Sequence, residues 1–134
     1  MSDASQKLFK KFMIDKQTIG GRGENYAAEY YKNNGFYIAA KNFHSPFGEI
    51  DLIAEGETEI VFIEVKVRRA TASYDPKEAV TPSKIQKIKK TAEQYIIKSH
   101  IYNSLQPRFD VAEIVLDENN SFKNAKLKIT KNAF

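Results

Sequence analysis

GEIDLIAEGETEIVFIEVKVR, residues 48–68, decides the fold. Two β-rich runs, GEIDLIA and EIVFIEVKVR, are separated by EGET, a polar turn carrying Gly56. A connection this short predicts an antiparallel hairpin. Side chains two residues apart share a face, so Glu49, Asp51 and Ile53 point one way and Ile50, Leu52 and Ala54 the other. On the second strand Phe62, Glu64, Lys66 and Arg68 oppose Ile63, Val65 and Val67. With residues 56–59 as the loop, Asp51 lies across from Glu64, their Cβ atoms about 4.5–5.5 Å apart. A slip by two residues leaves them diagonal neighbours. Carboxylates that close, on a face also holding Ile53 and Phe62, repel each other and resist desolvation.

Three things relieve such a pair: protonation of one acid, neutralisation by Lys66, or a divalent cation between them. Hard oxygen donors suit Mg²⁺. Lys66, two residues along the same face, would then reach a scissile phosphate and its attacking water, where an ammonium stabilises developing negative charge. The ordinary reading of Glu-x-Lys on a strand is a solvated face with a cross-strand ion pair. Against it, FIEVKV reads almost continuously apolar, as strands covered on both sides do.

Working outward, GENYAAEYYKNNG predicts a helix from about Arg22 to Asn33, stopped by Gly35 and approached through a flexible lead-in of Gly20, Gly21 and Gly23. Glu24 is followed by Ala27, Ala28 and Tyr31 at helical spacing, which puts an acid on the stripe facing the sheet. The alternative for Glu24 is a first-turn acid that complements the helix dipole. FYIAAKNF, 36–43, predicts a strand. Residues 69–80 read as a loop. Thr81-Pro82 then caps a helix to about residue 99, with Ile85, Ile88, Ala92 and Ile96 on its apolar stripe. RFDVAEIVL (108–116) and AKLKIT (125–130) complete the strands. The expected fold is α/β, a mixed β-sheet flanked by helices in the order α-β-β-β-α-β-β. Residues 1–19 form an N-terminal arm or short helix, and 20–134 a single domain.

The chain has 134 residues, 42% hydrophobic and 28% charged, which fits one globular domain. It has no cysteine, which excludes disulfides and thiolate metal sites and suits a reducing, cytoplasmic location. No apolar run approaches a membrane span, and the N-terminus lacks the unbroken apolar segment of a secretory signal. A net charge of +4 leans toward anionic partners, nucleic acid first. Lys84, Lys87, Lys89, Lys90 and Lys98 concentrate that charge on the second helix.

The stretch GRGENYAAEYYKNNGFYIAAKNFHSPFGEIDLIAEGETEIVFIEVKVR, with Lys84 and RFDV at 108–111 beyond it, closely resembles the YraN-type proteins. These are small bacterial proteins of the restriction-endonuclease-like (PD-(D/E)xK) superfamily, and the chain is similar, more distantly, to archaeal Holliday-junction resolvases. The signature maps to Asp51 and then Glu64-Val65-Lys66, with Ile50 in place of the usual proline. The resemblance implies a restriction-endonuclease-like sheet and a Mg²⁺-dependent DNA endonuclease, with Mn²⁺ able to substitute. It implies that Asp51, Glu64 and the backbone carbonyl of Val65 hold the metal, with Glu24 completing its shell. Lys66 would orient or deprotonate the water. Glu49 matches the family's GEID, either supporting Lys66 or capping the strand start.

Arg68 and Lys84 are candidate phosphate contacts, Lys84 because it falls in a first helical turn. Each is also explicable as a surface residue. His44 and His100 lack zinc-site spacing. Asp110 matches the family or only fixes the end of its strand. Phe9 and Phe12 offer an apolar arm for a homodimer or for docking on their own domain. Two rivals stand beside the nuclease: a catalytically inactive nucleic-acid-binding module on the same fold, and a scaffold with a buried ion-pair network.

Overall fold

The structure is a computed structural model describing residues 19–70, 80–99 and 104–134. The chain runs α1 (Ile19–Asn33), β1 (Tyr37–Ser45), β2 (Gly48–Glu55), β3 (Glu59–Arg68), α2 (Pro82–Ser99), β4 (Gln106–Val115) and β5 (Lys126–Thr130). The five strands form one sheet in sequence order. All neighbours are antiparallel except β3 and β4, which run parallel with α2 as the crossover between them. This is the predicted order α-β-β-β-α-β-β, a mixed sheet with two helices, consistent with a restriction-endonuclease-like fold. The expected arm, apart from Ile19, and both Phe9 and Phe12 lie outside the described residues, as do His100 and most of the expected 69–80 loop.

Each sheet face has its own core. Ala27, Ala28 and Tyr31 of α1 pack on Leu52, Ala54, Val61, Ile63, Ala112 and Ile114. Ile88 and Ala92 of α2 cover Ile50, Ile53, Ile60 and Phe62. Burying each of the large aliphatic and aromatic side chains contributes about 1.5–3 kcal/mol, which explains why β3 reads apolar on both faces. No helix of the described residues is long and apolar enough to cross a membrane.

The α1 helix starts before Arg22, so the expected flexible glycines lie inside it. Packing overrides propensity here. A Cβ built on Gly23 would sit 2.3 Å from Cγ2 of Val67, so only glycine lets the helix lie this close to β3. Gly35, at φ +88°, provides the predicted stop. At its C-terminal end α1 is braced to the sheet by Tyr31, whose hydroxyl donates to the fully buried Asp110 at 2.8 Å. Arg108 donates to both Asp110 oxygens at 3.0 Å and to Glu59 at 3.0 Å. The backbone N–H of Asn132 adds a further bond to Asp110 at 3.2 Å. Asp110 therefore anchors α1 and the C-terminal tail to β4.

Candidate active site

The ladder between β2 and β3 runs from Glu55↔Ile60 to Leu52↔Ile63. One step further, the same register sets Asp51 beside Glu64, as a 56–59 loop predicts. There the strands fork. β2 continues along β1 to Gly48 and β3 along β4 to Arg68, while the N–H of Val65 donates to Oδ2 of Asp51 at 2.8 Å. A side chain has taken over an acceptor's place in the ladder.

Strict alternation fails at this point. Ile50 was expected to share the Leu52 face but packs with Ile53 and Phe62 under α2. The β1 register brings Asn42 opposite Asp51, and Asn42 has a left-handed φ of +51°. The irregular backbone of Asn42 thus lies at the same level of the sheet as the point where the Asp51 carboxylate turns toward β3.

Asn42 also donates to Oε2 of Glu24 at 3.0 Å. Because α1 begins at Ile19, Glu24 is past the first turn, and the helix-dipole explanation loses its force. Burial raises the Glu24 pKa above the carboxylate norm against the pull of Asn42 and Lys41, and the charge of Glu49 adds to the rise. Asp51 is driven further, to about 7. Burial is the main cause, followed by the charge of Glu64; Val65 N–H opposes, and Glu24 and Glu49 add to the rise.

Glu64 is only 7% exposed. Its Oε1 receives the Lys84 ammonium at 2.5 Å and that of Lys66 at 3.4 Å. The two amines also meet each other. Burial and then Lys84 pull Lys66 below the usual lysine range, with Glu64 opposing. Burial acts on Lys84 in the same direction, but Glu64, Lys66 and the charge of Asp51 outweigh it and leave Lys84 raised. Of the two, Lys84 holds its proton more tightly and Lys66 is the readier acceptor.

The structure thus brings Asp51, Glu64, Lys66 and Lys84 together, with Glu24 and Glu49 near enough to act on Asp51. Glu49 is exposed and pairs with Nδ1 of His44 at 3.4 Å, rather than serving Lys66. Arg68 lies 3.9 Å from the buried Glu113, which β4 sets opposite Lys66. Asp110 belongs to the bracing network and not to this cluster. Asn42 was missed; asparagine in the middle of a strand is itself an anomaly, and that was the available signal. Beside the cluster, Gly48, Glu49, Thr81, Ser83, Lys84 and Lys87 line a cleft of about 280 Å³. A larger hollow of about 440 Å³ beside Ala70, Leu116 and Asn119 holds none of the predicted site residues.

The donor chemistry suits a hard cation, since Asp51, Glu64 and Glu24 all offer carboxylate oxygens and Asp51 is raised by burial first and then by the neighbouring negative charges. Among the described residues no three acids or imidazoles stand close enough together to hold a metal ion by themselves, and Lys84 supplies the positive charge at Glu64.

A family model described as "Uncharacterised protein family UPF0102" matches residues 23–114. A "UPF0102 protein" of Clostridium botulinum (strain Loch Maree / Type A3) is 48% identical over 116 residues, covering 87% of this chain and 93% of that protein. Another, "UPF0102 protein TTE1452" of Caldanaerobacter subterraneus subsp. tengcongensis, is 45% identical over 104 residues, covering 78% of this chain and 84% of that one.

Proposed function

The chain belongs to the UPF0102 family, and for it we propose a metal-dependent phosphodiesterase that hydrolyses nucleic acid, DNA in the first instance. One observation carries the reading: Asp51, Glu64 and Lys66 converge where β2 and β3 part, in the spacing that the PD-(D/E)xK signature requires. Kinship with the restriction-endonuclease-like superfamily and, more distantly, with archaeal Holliday-junction resolvases is part of the proposal. Branched or structured DNA as substrate rests on that analogy. A cytoplasmic location fits the cysteine-free composition.

Asp51, Glu64, the Val65 carbonyl and Glu24 would hold Mg²⁺ or Mn²⁺. When bound, such an ion neutralises phosphate charge and acidifies water. The chain's own contribution centres on Lys66. Its amine lies beside Glu64 with a lowered pKa, suited to accept a proton from the attacking water and to return charge to the phosphorane-like transition state. Lys84, held protonated, contributes a fixed positive charge for the phosphate.

The test uses labelled flaps, junctions, single strands and duplexes with Mg²⁺ and Mn²⁺. Wild type is expected to cut at least one of them. Lys66→Ala should lose cleavage by at least a hundredfold while still binding metal, and Asp51→Ala should lose both. Equal cleavage by all three proteins sinks the assignment. A second reading, a nucleic-acid-binding module without turnover, is favoured by the Lys84 ammonium at 2.5 Å from Glu64, in the place a cation would take. Salt-sensitive binding with every substrate left intact would select it.

A further inference from the structure

Phe47 is 43% exposed at the tip of the turn between β1 and β2. A turn needs small or polar residues, and a single exposed aromatic by itself means little. What distinguishes Phe47 is how firmly it is held and what stands around it. Its N–H donates to Oγ of Ser45 at 3.0 Å, and that oxygen lies 2.9 Å from Oγ1 of Thr91 on α2. Thr91 in turn donates to the Lys87 carbonyl at 2.8 Å. Gly48 follows at φ +154°, and a Cβ there would lie 3.5 Å from the Lys87 Cβ, so the turn rests directly on the helix. The tip is stapled to α2 and cannot swing its ring into the core.

A cation stands over the ring. The Lys90 ammonium lies 5.6 Å from its centroid, and Lys87, one turn earlier on the same helix, is exposed and packs its Cβ against Gly48, the residue after Phe47. From Phe47 the chain runs through Gly48, Glu49 and Ile50 to Asp51, roughly 13 Å at strand rise. Gly48 and Glu49, within that interval, line the 280 Å³ cleft together with Lys84 and Lys87. The aromatic ring, the lysines of α2 and a cleft bordered by Lys84, the partner of Glu64, therefore lie close together.

We infer that Phe47, Lys87 and Lys90 form a platform on which an unpaired base stacks while its strand passes along the cleft to Asp51 and Glu64. The inference rests on the nucleic-acid reading above and adds the substrate class: strands with at least one unpaired nucleotide a few positions from the cleavage position. At 3.4 Å of rise per nucleotide, the gap corresponds to roughly four nucleotides of stacked strand. Base-on-aromatic stacking tolerates any sequence because every base has a π-face. A fully paired duplex hides those faces inside its stack and meets only the lysines.

The test compares a labelled single strand, its blunt duplex and the same duplex with an unpaired tail, all without divalent cation so that nothing is cut. Phe47→Ala should weaken binding of the single strand and tailed duplex about tenfold or more, and that of the blunt duplex less than twofold. Its melting temperature should stay near wild type. Since the chain contains no tryptophan, Phe47→Trp adds a lone indole, whose fluorescence should fall with the single strand and not with the blunt duplex. A uniform loss on all three probes, or none, together with a silent indole, overturns the platform while leaving the nucleic-acid reading standing. Wild type that binds none of the three overturns both.

Discussion

Asp51→Asn should stabilise the metal-free protein, and the gain should grow with pH. The carboxyl is raised to about 7, chiefly by burial and then by Glu64, against 3.8 ordinarily. Between those pH values the unfolded chain releases the proton and the folded one retains it. Folding stability from this group is therefore greatest below about pH 4 and falls as pH rises toward 7. About three pH units at about 1.4 kcal/mol each set a ceiling near 4 kcal/mol. Because Asp51 is partly wet and shares its repulsion with Glu64, about 2 kcal/mol is the working figure. Asparagine keeps an acceptor for the Val65 N–H and cannot ionise. The variant should match wild type at pH 4 and melt about 6–10 °C higher at pH 8. Denaturant titrations of both proteins across that range isolate the effect, since other groups cancel in the difference. Excess Mn²⁺ at pH 8 should then raise wild type and leave the variant nearly unmoved, reversing their order. A variant less stable at pH 8, or equally stabilised at both pH values, refutes the picture of Asp51 as a strained carboxyl.

Lys84→Ala should tighten Mn²⁺ binding about fivefold by calorimetry in the absence of nucleic acid, because the ammonium at 2.5 Å from Glu64 competes for the place of a cation. Unchanged or weaker binding would show that Lys84 does not stand in the cation's way. Gly23→Ala should cost about 1–3 kcal/mol by denaturant titration despite alanine's better helix propensity, since its Cβ would lie 2.3 Å from Val67. A neutral or stabilised variant would mean that α1 can lift off β3 without penalty.

The fold was legible because the hairpin declared itself. GEIDLIA and EIVFIEVKVR gave the strand pair, its loop and, through the loop, the Asp51–Glu64 register that the ladder extends to. Thr81-Pro82 marked the start of α2, and its cap is present as the Lys84 N–H to Thr81 Oγ1 bond at 3.2 Å. What was not legible depends on tertiary approach. Gly20, Gly21 and Gly23 look like a hinge to any local rule, and only the nearness of Val67 shows why a glycine belongs within the helix. The displacement of Ile50 to the other core occurs where β2 breaks its alternation, level with the left-handed Asn42 on β1, and a period-two reading of β2 cannot contain it. For Lys84, helix position suggested a phosphate, and its carboxylate partner Glu64 was not legible because it comes from a different element.

The arrangement around the cluster bears on whether its strain is accidental. Repelling acids on a pliable scaffold would move apart, at little cost and with ordinary pKa values. Here each supporting element is fixed by a bond that has nothing to do with the acids' own charges. Tyr31, seven residues beyond Glu24 along α1 or about 10 Å, ties the helix to Asp110 of β4, which Arg108 holds in place. Gly23 removes the spacing that a side chain would impose between α1 and β3. Ser45 and Thr91 lock the turn that leads into β2. With those constraints in force, Asp51 and Glu64 can lower their repulsion only by gaining a proton or a cation. Two cations already serve Glu64, whereas the Asp51 carboxylate accepts from a neutral backbone N–H. An acid held so that an incoming positive charge relieves it is the kind of preorganisation that the proposed phosphodiester chemistry calls for.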